Sequence, residues 1–478
     1  MTDNDSKNSS SAKPSARRAA SKKAPARKKA PAKKKKKAAT RKAPAVQVKG
    51  PSRRAVVVAG VRTPFVRAFG SMLRMDTIDL GVAATGSLLD KTQIDCEEID
   101  GIVWGGVVLP GLAPNIAREI ALDLKLPSHV EGMTVTRACA SGLQAVTLAA
   151  AAIERGDADV MIAGGSDSTS NGELKLPQKV VQTLGPLAFG KGTTPMDYVA
   201  ALAQLMPLSS VLPTMPKIAE RSTGQVMGEA AEEMAQRNQV TREAQDRFAE
   251  QSHHRAAAAV AEGRFADEVA PLQTPAGKWV HQDEIIRGDT SFEKLSKLRP
   301  VFAKQGSVTA GNSSALTDGA SAVLVMSEEK ARALGYTPKA AFRSWAYSAV
   351  DPADQLLLGP ALAMPKALER AGMQLADADF VDMHEAFAAQ VLSVVHALGS
   401  KAFAEQRLGR SEAVGEIDPA CFNVHGGSIA LGHPFAATGA RMVTTMANEL
   451  VLRDQETALL GICAAGGLGA AAVLERLN

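Results

Sequence analysis

The sequence predicts an α/β fold with a layered sheet, and two observations carry that reading. Short apolar runs of strand length alternate with longer, Ala-rich stretches, the pattern of strands separated by helices. The second half also repeats the first in outline. Cys139, a helix, a strand and Gly-Gly in the first half answer to His433, a helix, a strand, Cys463 and Gly-Gly in the second. A pseudo-twofold pairing of two like halves would bring the two helix starts together.

Taken in order, residues 1–53 are a basic tail of Lys, Ala, Pro and Ser. Such a segment cannot bury enough apolar surface to offset its ordering entropy, so disorder is expected. Order is expected from about Arg54. The run 55–59 ends at Gly60 and reads as a buried strand, 77–89 as a helix, 102–104 as a strand and 115–124 as a helix. Residues 143–155 lack Gly and Pro and stop at Gly156, a helix with its terminator. The apolar run 159–165 is the next strand. Residues 170–217 break the rhythm with frequent Leu, Met and Pro. They read equally as a lid or docking surface and as a helical subdomain closing its own core. Residues 223–262 read as two charged helices on the outside. A loop of small residues, 309–319, precedes a strand at 322–326 and allows close approach of a ligand. The Gly-rich loop 422–434 leads into a helix at about 436–452 and a strand at 458–463.

Composition narrows the function. Residues 1–50 hold 17 Lys and Arg against Asp3 and Asp5, a balance of +15, which leaves −10 for the rest of a chain whose net charge is +5. The basic character therefore belongs to the tail, where Lys33 to Lys37 are unbroken. The tail reads as a polyanion contact or as a solubilising segment, and the body carries no nucleic-acid signal. No run of 18 apolar residues occurs, so no membrane span is expected. The four cysteines, Cys96, Cys139, Cys421 and Cys463, are too few for a disulfide framework and fit a reducing cytoplasm.

Cys139 precedes a helix, where unpaired N–H groups and the dipole favour an anion. This is one way to lower a thiol's pKa. Gly432-His433-Pro434 also precedes a helix, and Cys463 precedes a Gly-rich turn. Two Cys and a His supply a nucleophile, a base and an acid without metal or redox cofactor. No closely spaced Cys/His set argues for zinc.

These segments carry a resemblance. Arg137-Ala138-Cys139-Ala140-Ser141-Gly142-Leu143-Gln144-Ala145, Gly426-Gly427-Ser428-Ile429-Ala430-Leu431-Gly432-His433-Pro434 and Cys463-Ala464-Ala465-Gly466-Gly467-Leu468-Gly469 resemble the thiolase superfamily, over the whole chain except the tail. The resemblance implies a layered α-β-α-β-α fold from two similar βαβαβ halves, 54–335 and 336–478, with a helical loop insertion at about 170–290. It implies cleavage of 3-oxoacyl-CoA by CoA in fatty acid β-oxidation. Cys139 would be acylated, His433 would activate it and help bind the thioester oxygen, and Cys463 would act as acid and then base. The N–H groups of Cys139 and Ala465 would hold the other oxyanion, and Ser314 would touch the pantetheine arm. Coenzyme A is then a substrate, no cofactor or metal is expected, and a homodimer is.

His384-Glu385-Ala386-Phe387 stands where most thiolases have Asn first. That His and the 170–217 insertion resemble the branch holding the trifunctional-protein β subunit, which implies a hetero-oligomer with a hydratase/dehydrogenase α subunit. His384 would hold a water or donate an N–H itself. Glu385 is expected to orient His433 or His384, and His425 to lie behind them. The alternatives are a biosynthetic acetoacetyl-CoA thiolase, or a polyanion-binding protein acting through its tail. A ketoacyl synthase shares the fold but uses Cys-His-His, which Cys463 opposes.

Overall fold

Strand order makes the internal repeat visible. In this computed structural model, which describes residues 53–192, 194–213 and 218–477, one ten-stranded sheet dominates the described residues. Its first half uses β1 (Ala55–Arg62), β2 (Gly101–Gly105), β3 (Glu131–Val135), β4 (Val160–Ser168) and β5 (Thr317–Ser327). Its second half uses β6 (Ala340–Ala349), β7 (Phe380–Met383), β8 (Thr457–Ala464) and β9 (Leu468–Arg476). The order is β7-β8-β9-β6-β1-β5-β4-β2-β3, with the short strand Val66–Arg67 pairing β5 off this path.

The two ends read outward alike from the central antiparallel β1–β6 pair. On one side β5 and β4 follow antiparallel, then β2 and β3 parallel. On the other, β9 and β8 follow antiparallel, then β7 parallel, and Phe422 adds a parallel bridge where β3 has its counterpart. The basic tail read from the sequence lies outside the described residues, apart from Arg53.

Helices make the layers. Strand side chains alternate between faces, and here each face meets a different set of helices. Leu460 and Ile462 of β8 and Val57 of β1 join one central cluster, while Leu459 and Val56 belong to two outer ones. The central cluster holds α3 (Ser141–Arg155) and α10 (Ala437–Leu452) between the two half-sheets. Outer layers are α1 (Thr77–Thr92) with α2 (Ile116–Asp123), and α8 (Pro360–Ala371) with α9 (Ala388–Gly399). The result is the α-β-α-β-α stack that the sequence predicts. Because α10 is covered on all sides, its first three turns and more are buried continuously from Ala437 to Leu450, which explains its runs of Ala, Thr and Met.

One expectation needs correcting. The helices at 223–262 are not merely external. Of these, α6 (Met227–Arg237) and α7 (Arg242–Ala261) bury small and polar residues, among them Asp246, Ser252 and His253. Their charged faces hid this from the sequence. Strands β6 and β9 were not read from the sequence: β9 is centred on the small-residue run from Gly469 to Ala472, and β6 mixes Ala and Ser with Phe342, Trp345 and Tyr347.

The insertion contains α4 (Gln178–Ala188) and α5 (Pro195–Gln204). Among the described residues it does not close a core of its own. Each helix buries a single residue, Val180 and Ala201. Phe189 is 88% exposed, Met196 71% and Leu202 62%, so the apolar surface faces outward.

Candidate active site

Three turns meet where the half-sheets and the central helices converge. The first lies between β3 and α3. Ala138 takes φ +46°, a left-handed value that costs energy in a residue with a Cβ. Ser141, the first residue of α3, holds this turn. Its Oγ accepts from Arg137 N at 2.7 Å and donates to the Ala138 carbonyl at 2.7 Å. Cys139 is thereby lifted to the mouth of the turn, part-exposed, with protein crowded around its sulfur. Helix α3 has no side-chain cap.

The second turn carries His433. Gly432 has φ +98°, and a Cβ there would lie 2.6 Å from Thr317 Cγ2, so only Gly fits. His433 then pairs with Leu316 in a bridge, donates or accepts at Nδ1 with Thr438 Oγ1 at 2.7 Å, and meets Phe435 edge-on. The helix α10 begins four residues later, so the spacing from His433 to Thr438 follows from the helix start.

The third turn, 465–467, joins β8 to β9 directly after Cys463. The turn brings the Ala465 N–H toward the Cys139 sulfur, where it opposes in part the effect of burial on that thiol.

The two helix starts touch as the internal repeat requires. A Cβ on Gly142 would lie 2.1 Å from the Ala436 carbonyl, and one on Gly439 would lie 2.3 Å from Leu143 N. Asp167, at the end of β4, locks the same junction. One of its oxygens accepts from Val107 N at 2.9 Å and Val108 N at 2.6 Å, and the other from Ala436 N at 2.8 Å. Burial pushes its carboxyl up to about 7 despite these donors.

His384 follows β7, with its backbone N–H on the Gly461 carbonyl at 2.8 Å. Its ring lies 4.1 Å from that of His433, centroid to centroid, and its Nδ1 meets Ser428 Oγ at 2.9 Å. One ligand atom each from Cys139, His384 and His433 falls within 4.8 Å of the others. In both rings Nε2 is buried and has no protein partner. Such a trio is also a soft-metal donor set by residue type.

Burial sets the protonation states. It pushes the Cys139 thiol up to about 12, outweighing the Ala465 N–H, with Asp167 adding to the rise. The helix start therefore does not yield a resting thiolate, contrary to the expectation from dipole and N–H groups alone. Burial likewise pushes His433 down to about 3, helped by the charge of Arg441, and His384 well below its ordinary value. Cys463 rises through burial and the nearness of Cys139. At neutral pH the set is two thiols and two neutral imidazoles.

Glu385 does not orient either ring. Its oxygens accept from Ser252 Oγ at 2.6 Å, Asn423 Nδ2 at 2.8 Å and Ile429 N at 3.2 Å. It holds the 423–429 loop instead, and the imidazoles rely on Thr438 and Ser428. His425 pairs with Glu449 at 2.8 Å, facing Phe265. Ser314 sits part-exposed beside the His384 segment, its N–H on the Ala386 carbonyl at 3.0 Å, and Ala388 N donates to Asn312 O at 2.9 Å. Sequence reasoning missed Thr438, Ser428, Asp167 and Ser252. Thr438 was findable, five residues past His433 at the start of a predicted helix.

Comparison with known proteins decides the family. The thiolase N-terminal domain matches residues 55–329 and the thiolase C-terminal domain residues 336–476. The chain belongs to the thiolase family. This thiolase is 46% identical over 424 residues to the 3-ketoacyl-CoA thiolase of Citrobacter koseri, covering 88% of this chain and 97% of that one. It is equally identical to that of Aliivibrio fischeri, covering 88% and 95%. Among solved structures, human mitochondrial 3-ketoacyl-CoA thiolase in complex with CoA superposes with a TM-score of 0.77 at 30% identity, over 90% of this thiolase and 99% of the human chain. The Bacillus anthracis acetyl-CoA acetyltransferase gives 0.75 at 32%, over 90% and 100%. No helix among the described residues is long and apolar enough to cross a membrane.

Proposed function

We propose that this thiolase is a 3-ketoacyl-CoA thiolase, an acetyl-CoA C-acyltransferase, that works through an acyl-Cys139 intermediate. The observation that carries the reading is the convergence of the Cys139 sulfur on two neutral buried imidazoles, within 4.8 Å.

The chemistry follows from the protonation states. A thiol cannot stay ionised alone at this depth, but it can pass its proton to His433 Nε2, which is buried and unpartnered. Nδ1–H then donates to Thr438, which fixes the tautomer. The Cys139 sulfur attacks the 3-keto carbon of the substrate, and the bond between its C2 and C3 breaks. The electron pair leaves with C2 as the enolate of acetyl-CoA. Cys463, a thiol at rest, gives C2 its proton, and acetyl-CoA departs. The Cys463 thiolate takes the proton from incoming CoA, whose sulfur attacks acyl-Cys139. The tetrahedral oxyanion is held by the N–H groups of Cys139 and Ala465. Collapse expels the Cys139 sulfur, which recovers its proton from His433. The Cys139 proton returns from His433, and the proton that Cys463 gave to acetyl-CoA is replaced by the one taken from CoA. His384 Nε2 and His433 Nε2 line the place where the thioester oxygen gains charge, and Ser314 lies along the approach of the pantetheine arm.

His384 and the outward apolar face of α4 and α5 favour the branch of the trifunctional-protein β subunit, with an α subunit carrying hydratase and dehydrogenase activities. The free edge of β3, with Met133 48% exposed, favours a homodimer, since an unpaired edge strand is a template for a second copy. Four free thiols suit a reducing cytoplasm.

The test is thiolysis of 3-oxoacyl-CoA substrates of graded chain length. Cys139→Ala is expected to lower kcat to the background of the uncatalysed reaction while the fold persists. Turnover near the wild-type rate in that variant would end this reading.

A further inference from the structure

The turn 465–467 has a weakness that its function does not tolerate. Gly466 and Gly467 both take positive φ, +83° and +69°, and neither offers a side chain to pack. Yet the Ala465 N–H in this turn must stay aimed at the Cys139 sulfur. One side of the turn is tied by its partner in the sheet layer, with Val350 N on the Gly467 carbonyl at 2.7 Å. The other side is tied from outside the sheet. Gly466 N donates to Glu220 Oε2 at 3.0 Å.

Glu220 is itself built into place. It sits in a small hairpin whose ends pair through Ala219 and Val226. Its N–H donates to Gln225 O at 2.8 Å, and its carbonyl accepts from Gly224 N at 2.8 Å. Its other carboxylate oxygen is held by Ser222, through N at 3.2 Å and Oγ at 2.8 Å. Both oxygens are thus committed, one to its own hairpin and one to the turn, 246 residues away in sequence. Ser222 and Gly466 N–H donors keep the carboxyl below its ordinary range, so it remains an acceptor across the working pH.

We propose that Glu220 is a positioning residue for the reaction, clamping the 465–467 turn so that the Ala465 N–H stays directed at the Cys139 sulfur and at the oxyanion formed there. The peptide planes on either side of Ala465 share its Cα. Fixing the Gly466 N–H therefore leaves the neighbouring plane, which carries the Ala465 N–H, only the rotations about that Cα. The inference rests on Cys139 being the sulfur that is acylated. It adds that a hairpin within the loop insertion, residues 219–226, supports the oxyanion pocket.

Three variants of the full chain test it: Glu220→Ala, Glu220→Gln and Glu220→Asp. Losing an oxyanion donor outright costs about 10²–10³ in kcat, and loosening one costs less. Glu220→Ala is expected to lower kcat roughly 10-fold with KM within about 2-fold. Alkylation of its Cys139 by iodoacetamide at fixed pH should slow, because the thiolate loses an N–H donor. Glu220→Gln keeps an acceptor oxygen and should stay within about 2-fold of wild type. Glu220→Asp, one methylene short, should fall with Ala. The proposal is overturned if all three match wild type, if Gln is as impaired as Ala, or if the kcat losses merely track losses of Tm. Should wild type itself form no acyl adduct on Cys139, it is the parent reading of the site that fails.

Discussion

Burial governs the chemistry of Cys139. A thiolate alone in this pocket is disfavoured, and so is an imidazolium alone at His433, which burial holds down to about 3. Formed together, side by side, each charge offsets the other's desolvation. The ion pair is therefore a state reached during the reaction rather than at rest. This has a direct test in the free enzyme. With its thiol pushed up to about 12, Cys139 gains thiolate about tenfold per pH unit over the whole range below that value. Inactivation by iodoacetamide should rise without a plateau from about pH 7 to about pH 10. A plateau reached by about pH 8 would mean that the helix start prevails over burial.

At this scale the sequence was informative about identity and poor about support. Cys139, His433 and Cys463 stand in distinctive segments next to Gly and Pro, whose backbone demands leave a local mark. The partners of those residues leave none. Thr438 and Ser428 are ordinary helix-start residues until the fold turns them toward an imidazole. Glu385 adjoins His384 in sequence, which invited a direct pairing. The chain direction at the end of β7 sends its carboxylate to Ser252 and Asn423 instead.

At the scale of elements, the site depends on how closely α3 and α10 approach. Gly142 and Gly439 let each helix start run against the other's backbone. Gly142→Ala places a methyl 2.1 Å from the Ala436 carbonyl, a backbone atom that cannot swing aside. We expect a loss of about 1–3 kcal/mol, the usual cost of overpacking. A drop in kcat should accompany it, because the move separates Cys139 from His433. Denaturant unfolding and thiolysis measure the two effects, and a variant unchanged in both would show that the junction has slack. The pairing of helix starts was legible from order alone, since like sequences of elements build like halves. The burial of α7 was not, because Asp246 and Ser252 read as solvent-facing residues and find their cover only in the fold, Asp246 against Asn312 and Ser252 against Glu385 and Gly427.

On the scale of the whole molecule, one surface is left without a role in the reaction. Helices α4 and α5 bear exposed Leu184, Phe189, Val199 and Leu202, more apolar surface than an isolated chain gains from displaying. Changing these four residues to Ser should leave kcat and KM on a short-chain substrate within about 2-fold, as changes at exposed positions usually do. The same changes should abolish co-elution with the proposed α subunit in size-exclusion chromatography. Unchanged co-elution would remove the insertion from the proposed interface.

The account as a whole stands on which sulfur carries the acyl group. The direct measurement is mass spectrometry of peptides from enzyme quenched after mixing with a 3-oxoacyl-CoA in the absence of free CoA. The prediction is one acyl group, shorter than the substrate acyl chain by the two carbons of acetate, on the peptide containing Cys139, released when CoA is added. An adduct on Cys463 instead, or no adduct while acetyl-CoA accumulates, would contradict it.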